Sequence, residues 1–126
     1  NSYLPKKEAS KIHQETFRIL REMFPLNNLI QEYPIKVKDD YGKTHTLFID
    51  IFIPDLGLAF ECHGIQHFKF IEHFHNDAEG FSRYKYNDNL KIKWCEENNV
   101  ALIILDYKTK ITQKLIRKEI DRCLRK

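Results

Sequence analysis

Cysteine is scarce in this chain and poorly spaced for bonding. Cys62, Cys95 and Cys123 are odd in number and far apart, and no CxxC pair occurs. That argues against a zinc knuckle and against a disulfide framework, and it fits a reducing, cytoplasmic setting. No apolar run approaches the roughly 20 residues that a membrane span needs, so no membrane partner is expected. Residues 1–11 lack the apolar stretch of a signal peptide. An initiator Met is missing as well, which suggests a processed product or, preferably, a domain excised from a longer protein. There is no internal repeat and no low-complexity tract.

What remains is an ordinary globular balance, 42% hydrophobic and 31% charged over 126 residues, enough for one buried core and too little for two. Residues 1–126 are therefore read as a single domain. The net charge of +3 is mild but unevenly spread. Residues 108–126 hold eight basic side chains against Glu119 and Asp121, so the rest of the chain is net negative. A basic terminal helix beside an acidic body can steer nucleic-acid phosphates onto one face; a solvated helix surface would read the same way.

Periodicity predicts a first helix from a Ser10 cap through Phe24, with Ile12, Phe17, Leu20 and Phe24 along one stripe. Residues 31–38 read as a strand, 39–42 as a hairpin turn, and 46–54 as a second strand. On that strand Leu47, Ile49, Ile51 and Ile53 are expected on one face, with Phe48, Asp50 and Phe52 on the other. Asp55-Leu56-Gly57 turns into a third strand, 58–63. An aromatic, His-rich connection, 64–80, reads as irregular. Its Phe68, Phe70 and Phe74, with Phe81, suit packing better than base stacking. A helix follows at 81–98 with Tyr84, Asp88, Lys91 and Cys95 on one side, then a strand of the fully buried type at 100–107, then an amphipathic helix at 111–124. The order αβββαβα implies an α/β fold, a central mixed β-sheet flanked by helices.

The chemistry concentrates between Phe48 and His67. Asp50 stands between Ile49 and Ile51 in an apolar strand, where a charge is costly unless paired or metal-bound. Glu61 and His63, two apart on the next strand, project from one face. Pairing about the turn at 55–57 brings Asp50 opposite Cys62 within one residue. Two carboxylates so placed need a cation, and hard oxygen donors suit Mg²⁺, with Mn²⁺ as a substitute. The candidate metal ligands are Asp50, Glu61 and the backbone carbonyl of Cys62. Such an ion serves phosphodiester hydrolysis, with His63 or His67 as general base or acid and Arg83 or Lys91 holding phosphate charge. Taken singly, Asp50 reads as a structural ion pair and His67 as a surface histidine; their convergence on one strand pair favours a site.

The helix glutamate, the strand aspartate, the Glu-x-x-Gly-x-Gln-His run at 61–67 and a later helix with an inward Asp resemble the PD-(D/E)xK nuclease superfamily. Within it, the pattern is similar to the branch related to very-short-patch repair endonucleases, including phage homing endonucleases of the EDxHD group. The resemblance covers residues 10–107. It implies a PD-(D/E)xK-type core and Mg²⁺-dependent cleavage of double-stranded DNA. It assigns Asp50 as the central metal ligand, Glu15 to a second metal or an ordered water, His67 to the scissile phosphate or a metal-bound water, and Asp88 to orienting a histidine. Cys62 falls at the variable position, and His63-Gly64 matches a His-Gly step of the repair enzymes. The superfamily's strand lysine is replaced, since Glu61 is followed by Cys62 and His63. Zinc ligands like those of the repair enzymes are also missing, which points to the homing branch. A homing enzyme that cuts both strands implies a homodimer or sequential nicking, and a phage-encoded one acts in the bacterial host cytoplasm. Two alternatives stand beside this reading: a nucleic-acid-binding module with a decayed site, and an RNA-directed nuclease on the same scaffold.

Overall fold

The computed structural model describes residues 4–64 and 78–125. Ser10 starts the first helix, α1 (Lys11–Met23), by accepting the His13 N–H with its hydroxyl. The inward face of α1 carries His13, Thr16, Phe17 and Leu20. Two long strands follow, β1 (Ile30–Lys38) and β2 (Thr44–Ile53), joined by a turn in which the Asp39 carboxylate accepts the Tyr41 and Lys43 N–H groups. A single 3₁₀ turn at Pro54–Leu56 ends on Gly57, whose φ of 62° is the left-handed conformation glycine adopts without strain. It leads directly into β3 (Leu58–His63). The second helix, α2 (Ala78–Glu97), ends where Asn99 turns left-handed at φ 56° and the Val100 N–H returns to the Cys95 carbonyl. Then come β4 (Ala101–Asp106) and α3 (Gln113–Leu124), the latter capped by Thr112.

The four strands form one sheet in the order β1-β2-β3-β4, antiparallel except for the parallel β3–β4 pair. The mixed α/β architecture and the order αβββαβα therefore stand as expected from the sequence. Phe17 and Leu20 of α1 and Ile116 of α3 pack with Ile51, Ile53, Leu58, Phe60, Ile103 and Leu105 on one face. On the other, Leu90 and Cys95 of α2 pack with Ile35, Val37, Ile49, Phe52 and Ala59.

Two strand expectations need correction. Ile49 does not share a face with Ile51 and Ile53: it packs toward α2, and they pack toward α1 and α3. The cause is a kink. Opposite Asp50, Glu32 takes a positive φ of 52°, the ladder skips the Glu32–Asp50 pair, and alternation slips there on both strands. The last strand is also less buried than expected. β4 is an edge strand, so Ile103 and Leu105 are buried while Ile104 stays 41% exposed. Helix α3 begins at Gln113 rather than 111 because Thr112 is its cap, which leaves Ile111 in the core ahead of the helix.

Phe17 is fully buried at the centre of the first cluster. Its replacement by Ala should lower the unfolding free energy by about 3–5 kcal/mol in urea titrations. The same change at Leu26, which is 97% exposed, should stay within about 0.5 kcal/mol.

Candidate active site

The β2–β3 ladder runs from Ile53↔Leu58 to Ile51↔Phe60 and stops. One step further the same register sets Asp50 against Glu61, within the one-residue margin expected from the turn. There the side chains take over the bonding of the backbone. The Asp50 N–H donates to Glu61 Oε2 at 2.8 Å, and the Cys62 N–H donates to Asp50 Oδ2 at 2.8 Å. The strands thus end in a fork closed by two reciprocal carboxylate bonds. Because N–H and C=O of one strand residue point the same way, the Cys62 carbonyl also faces the β2 side of this fork. The next carbonyl, of His63, points to β4 and accepts the Tyr107 N–H.

Alternation along β3 sends Glu61 and His63 toward α2. Glu61 is 2% exposed and receives Lys91 Nζ at 2.7 Å on Oε1. Burial, and then the Asp50 charge, push the Glu61 carboxyl up to about 7, outweighing the Lys91 ammonium that would lower it. For Lys91, burial alone would lower the ammonium, but Glu61, Asp50 and Asp88 together hold it above its ordinary value. Asp88 of α2 places Oδ1 4.0 Å from His63 Nε2. One ligand atom from each of Glu61, His63 and Asp88 lies within 4.8 Å of the others, a spacing that suits a metal ion. The Cys62 side chain goes the other way, toward Thr16, and burial with the nearby Asp50 charge holds its thiol neutral.

A cavity of about 630 Å³ opens onto the fork, with Asp50, Glu61, Asp88, Lys91, Phe48 and His13 on its wall. The sequence-derived residues Asp50, Glu61, Cys62, Asp88 and Lys91 are thus brought together. His63 abuts Asp88 but is not on the cavity wall. Glu15 is not brought in: it is exposed, beside Tyr107 and Lys108 in a separate shallow groove, because the inward face of α1 carries His13, Thr16 and Phe17 instead. Arg83 is exposed on the first half of α2 and does not line the cavity. His67, Phe68, Phe70 and Phe74 lie outside the described residues, as do the side chains of Phe81 and Tyr84. No residue of the basic helix α3 lines the cavity; Lys114, Arg117, Arg122 and Arg125 border a different groove. Sequence reasoning missed His13. The signal was a histidine on the apolar stripe of α1, four and seven residues before Phe17 and Leu20.

This chain is similar to two viral proteins. One is the uncharacterized protein 307L of Invertebrate iridescent virus 6, 47% identical over 64 residues, or 51% of this chain and 32% of that protein. The other is the uncharacterized protein 033L of Invertebrate iridescent virus 3, 40% identical over 68 residues, or 54% of this chain and 35% of that protein. The chain spans about a third of the length of these relatives. No protein-family model and no solved structure matches it. Among the described residues, no helix is long and apolar enough to cross a membrane.

The raised Glu61 carboxyl makes a stability prediction for the protein in EDTA. Its ordinary value is 4.5 and its folded value about 7, so between these the folded state binds the extra proton. The contribution is complete below about pH 4.5 and is lost as pH rises through about 7, on the order of 3 kcal/mol in all. Urea midpoints of the wild type should fall across this window relative to Glu61→Gln. Parallel curves for the two proteins would contradict the assignment.

Proposed function

We propose that this domain is the catalytic unit of a metal-dependent DNA endonuclease. The observation that carries the reading is the fork itself, where the Asp50 and Glu61 carboxylates line one cavity together with the Lys91 ammonium that binds Glu61. The donor set fits a hard divalent cation. The Glu61 carboxyl is pushed up first by burial and then by the Asp50 charge, which added positive charge would offset, and all the donors are oxygens. Asp50, Glu61 and the Cys62 carbonyl would hold Mg²⁺ or Mn²⁺. When bound, such an ion polarises a phosphodiester and lowers the proton affinity of its water.

The chain's own groups do the rest. Cys62 N–H fixes one oxygen of Asp50 and leaves that carboxylate aimed along the fork. Lys91 holds Glu61 in place, and its ammonium is positioned to take a non-bridging phosphate oxygen at the cavity wall. This supports the PD-(D/E)xK resemblance at its weakest point. Lys91 of α2, bonded to Glu61, is our candidate for the role of the lysine absent from β3, where His63 stands instead. Asp88 beside His63 is the arrangement the resemblance implies for an aspartate that orients a histidine, with His63 in that place. Duplex DNA as the substrate, a homing role and action as a homodimer come from the resemblance, and as properties of a longer protein they are proposals.

Supercoiled plasmid should be nicked or linearised by the wild type with Mg²⁺ or Mn²⁺ and not in EDTA. Asp50→Ala and Lys91→Ala should each slow cleavage by at least about 100-fold. Cleavage that persists in Asp50→Ala would overturn the reading. Binding of the same plasmid without cleavage under any divalent metal would favour a decayed binding module.

A second placement of the ion has its own observation, the Glu61, His63 and Asp88 cluster. An imidazole ligand favours Mn²⁺ or Zn²⁺ over Mg²⁺. In calorimetric titrations with Mn²⁺, that placement predicts weakening by roughly 10- to 100-fold in His63→Ala. The fork placement predicts the larger loss in Asp50→Ala.

A further inference from the structure

The cavity wall includes a histidine that the proposed function has not used. His13 is 4% exposed on the first turn of α1, yet it lines the same cavity as Asp50 and Glu61. Its partner is Gln31, 8% exposed on β1. The orientation of the Gln31 amide is fixed from both ends. Oε1 accepts the Lys6 backbone N–H at 3.0 Å, and Nε2 donates to the Leu4 carbonyl at 3.0 Å. His13 Nε2 lies 3.0 Å from that same Oε1. An amide oxygen only accepts, so His13 Nε2 carries the hydrogen, and in the neutral ring the lone pair sits on Nδ1. Among the described residues, Nδ1 has no hydrogen-bond partner. His13 lines the cavity, and Nδ1 is the ring nitrogen that the Gln31 bond leaves over. The other described histidines are placed differently: His63 abuts Asp88 off the cavity wall, and His45 pairs with Asp39 at the β1–β2 turn.

We propose that His13 is a catalytic residue of this site, its Nδ1 taking the proton of the water that attacks the phosphodiester. This rests on the nuclease reading above. The water oxygen bonds to phosphorus and its proton passes to Nδ1. The bond from phosphorus to the leaving ester oxygen breaks with its electron pair on that oxygen, which takes a proton from solvent. His13 then returns its proton to solvent. The charged groups around it are Lys6 and Glu8 of the arm before α1, Glu32 of β1, Asp50 of β2, Glu61 of β3, and Asp88 and Lys91 of α2. Lys6 is bound to Glu32 and Lys91 to Glu61.

The test has two readouts. Long-range ¹H–¹⁵N spectra of the metal-free protein at a pH where the ring is neutral should find His13 as the Nε2–H tautomer. Plasmid cleavage across pH is then compared among wild type, His13→Gln and Gln31→Glu, with DNA binding in Ca²⁺ and melting temperature measured on each. His13→Gln should bind DNA as the wild type does and cleave about 100-fold or more slowly. Gln31→Glu keeps the acceptor but adds a negative charge to it, so the rising limb of its pH–rate profile should move to higher pH, which a merely structural histidine would not cause. An Nδ1–H tautomer, or near wild-type cleavage by His13→Gln with an unmoved limb in Gln31→Glu, overturns the role of His13 and leaves the nuclease reading intact. If His13→Gln fails to fold, the tautomer and the Gln31→Glu profile decide. A wild type inactive with both Mg²⁺ and Mn²⁺ sinks the nuclease reading, and this inference with it.

Discussion

The arrangement of this protein depends on how β2 and β3 part. A backbone ladder could have continued past Ile51↔Phe60, but two carboxylates take the places of its carbonyls, accepting the Asp50 and Cys62 N–H groups. The bonding demand of the strands is met while two anions are held at their divergence. Burying a charge costs several kcal/mol unless it is paired and fully hydrogen-bonded. Glu61 meets that condition through Lys91 and the Asp50 N–H, and still its carboxyl is driven up to about 7. The site is held under electrostatic stress, from burial first and the Asp50 charge second; under the proposed function a divalent cation would relieve it.

The surrounding elements follow from that stress. Strand alternation gives Leu58 and Phe60 to the core under α1 and α3, and gives Ala59, Glu61 and His63 to the side of α2. The helix that covers an acidic strand face cannot be purely apolar there. Hence α2 turns Leu90 and Cys95 inward together with Asp88 and Lys91, and its apolar stripe is correspondingly weak. Facing the fork from the other side, α1 contributes His13 and Thr16 in the same row as Phe17 and Leu20. The kink at Glu32 belongs to the same construction. By skipping the pair opposite Asp50 it frees β2 from β1 at the residue where the cavity needs it.

Much of this was legible in the residues. The turn at Asp55-Leu56-Gly57 is short enough that its geometry sets the β2–β3 register, so the meeting of Asp50 and Glu61 could be read within one residue. The helix cap at Ser10 was equally plain. The kink was not. Glu32 is no turn residue, and its left-handed backbone depends on long-range pairing, so the face of Ile49 was assigned by an alternation that does not persist. The exposure of Ile104 was hidden because an apolar run does not reveal whether a strand lies at the edge of a sheet. Glu15 and His13 illustrate the same limit on a helix. Two residues apart, they stand on different faces, and only the packing of Phe17 and Leu20 selects which one meets the fork.

Under the proposed function, the forked carboxylates form a cation site. This is tested most directly by the anomalous difference map of crystals soaked in Mn²⁺. A peak is expected in the fork, with an oxygen of Asp50 and an oxygen of Glu61 both within coordinating distance and the Cys62 carbonyl facing it. A map with no peak there, or with Mn²⁺ bound only at sites that exclude Asp50, would contradict that assignment.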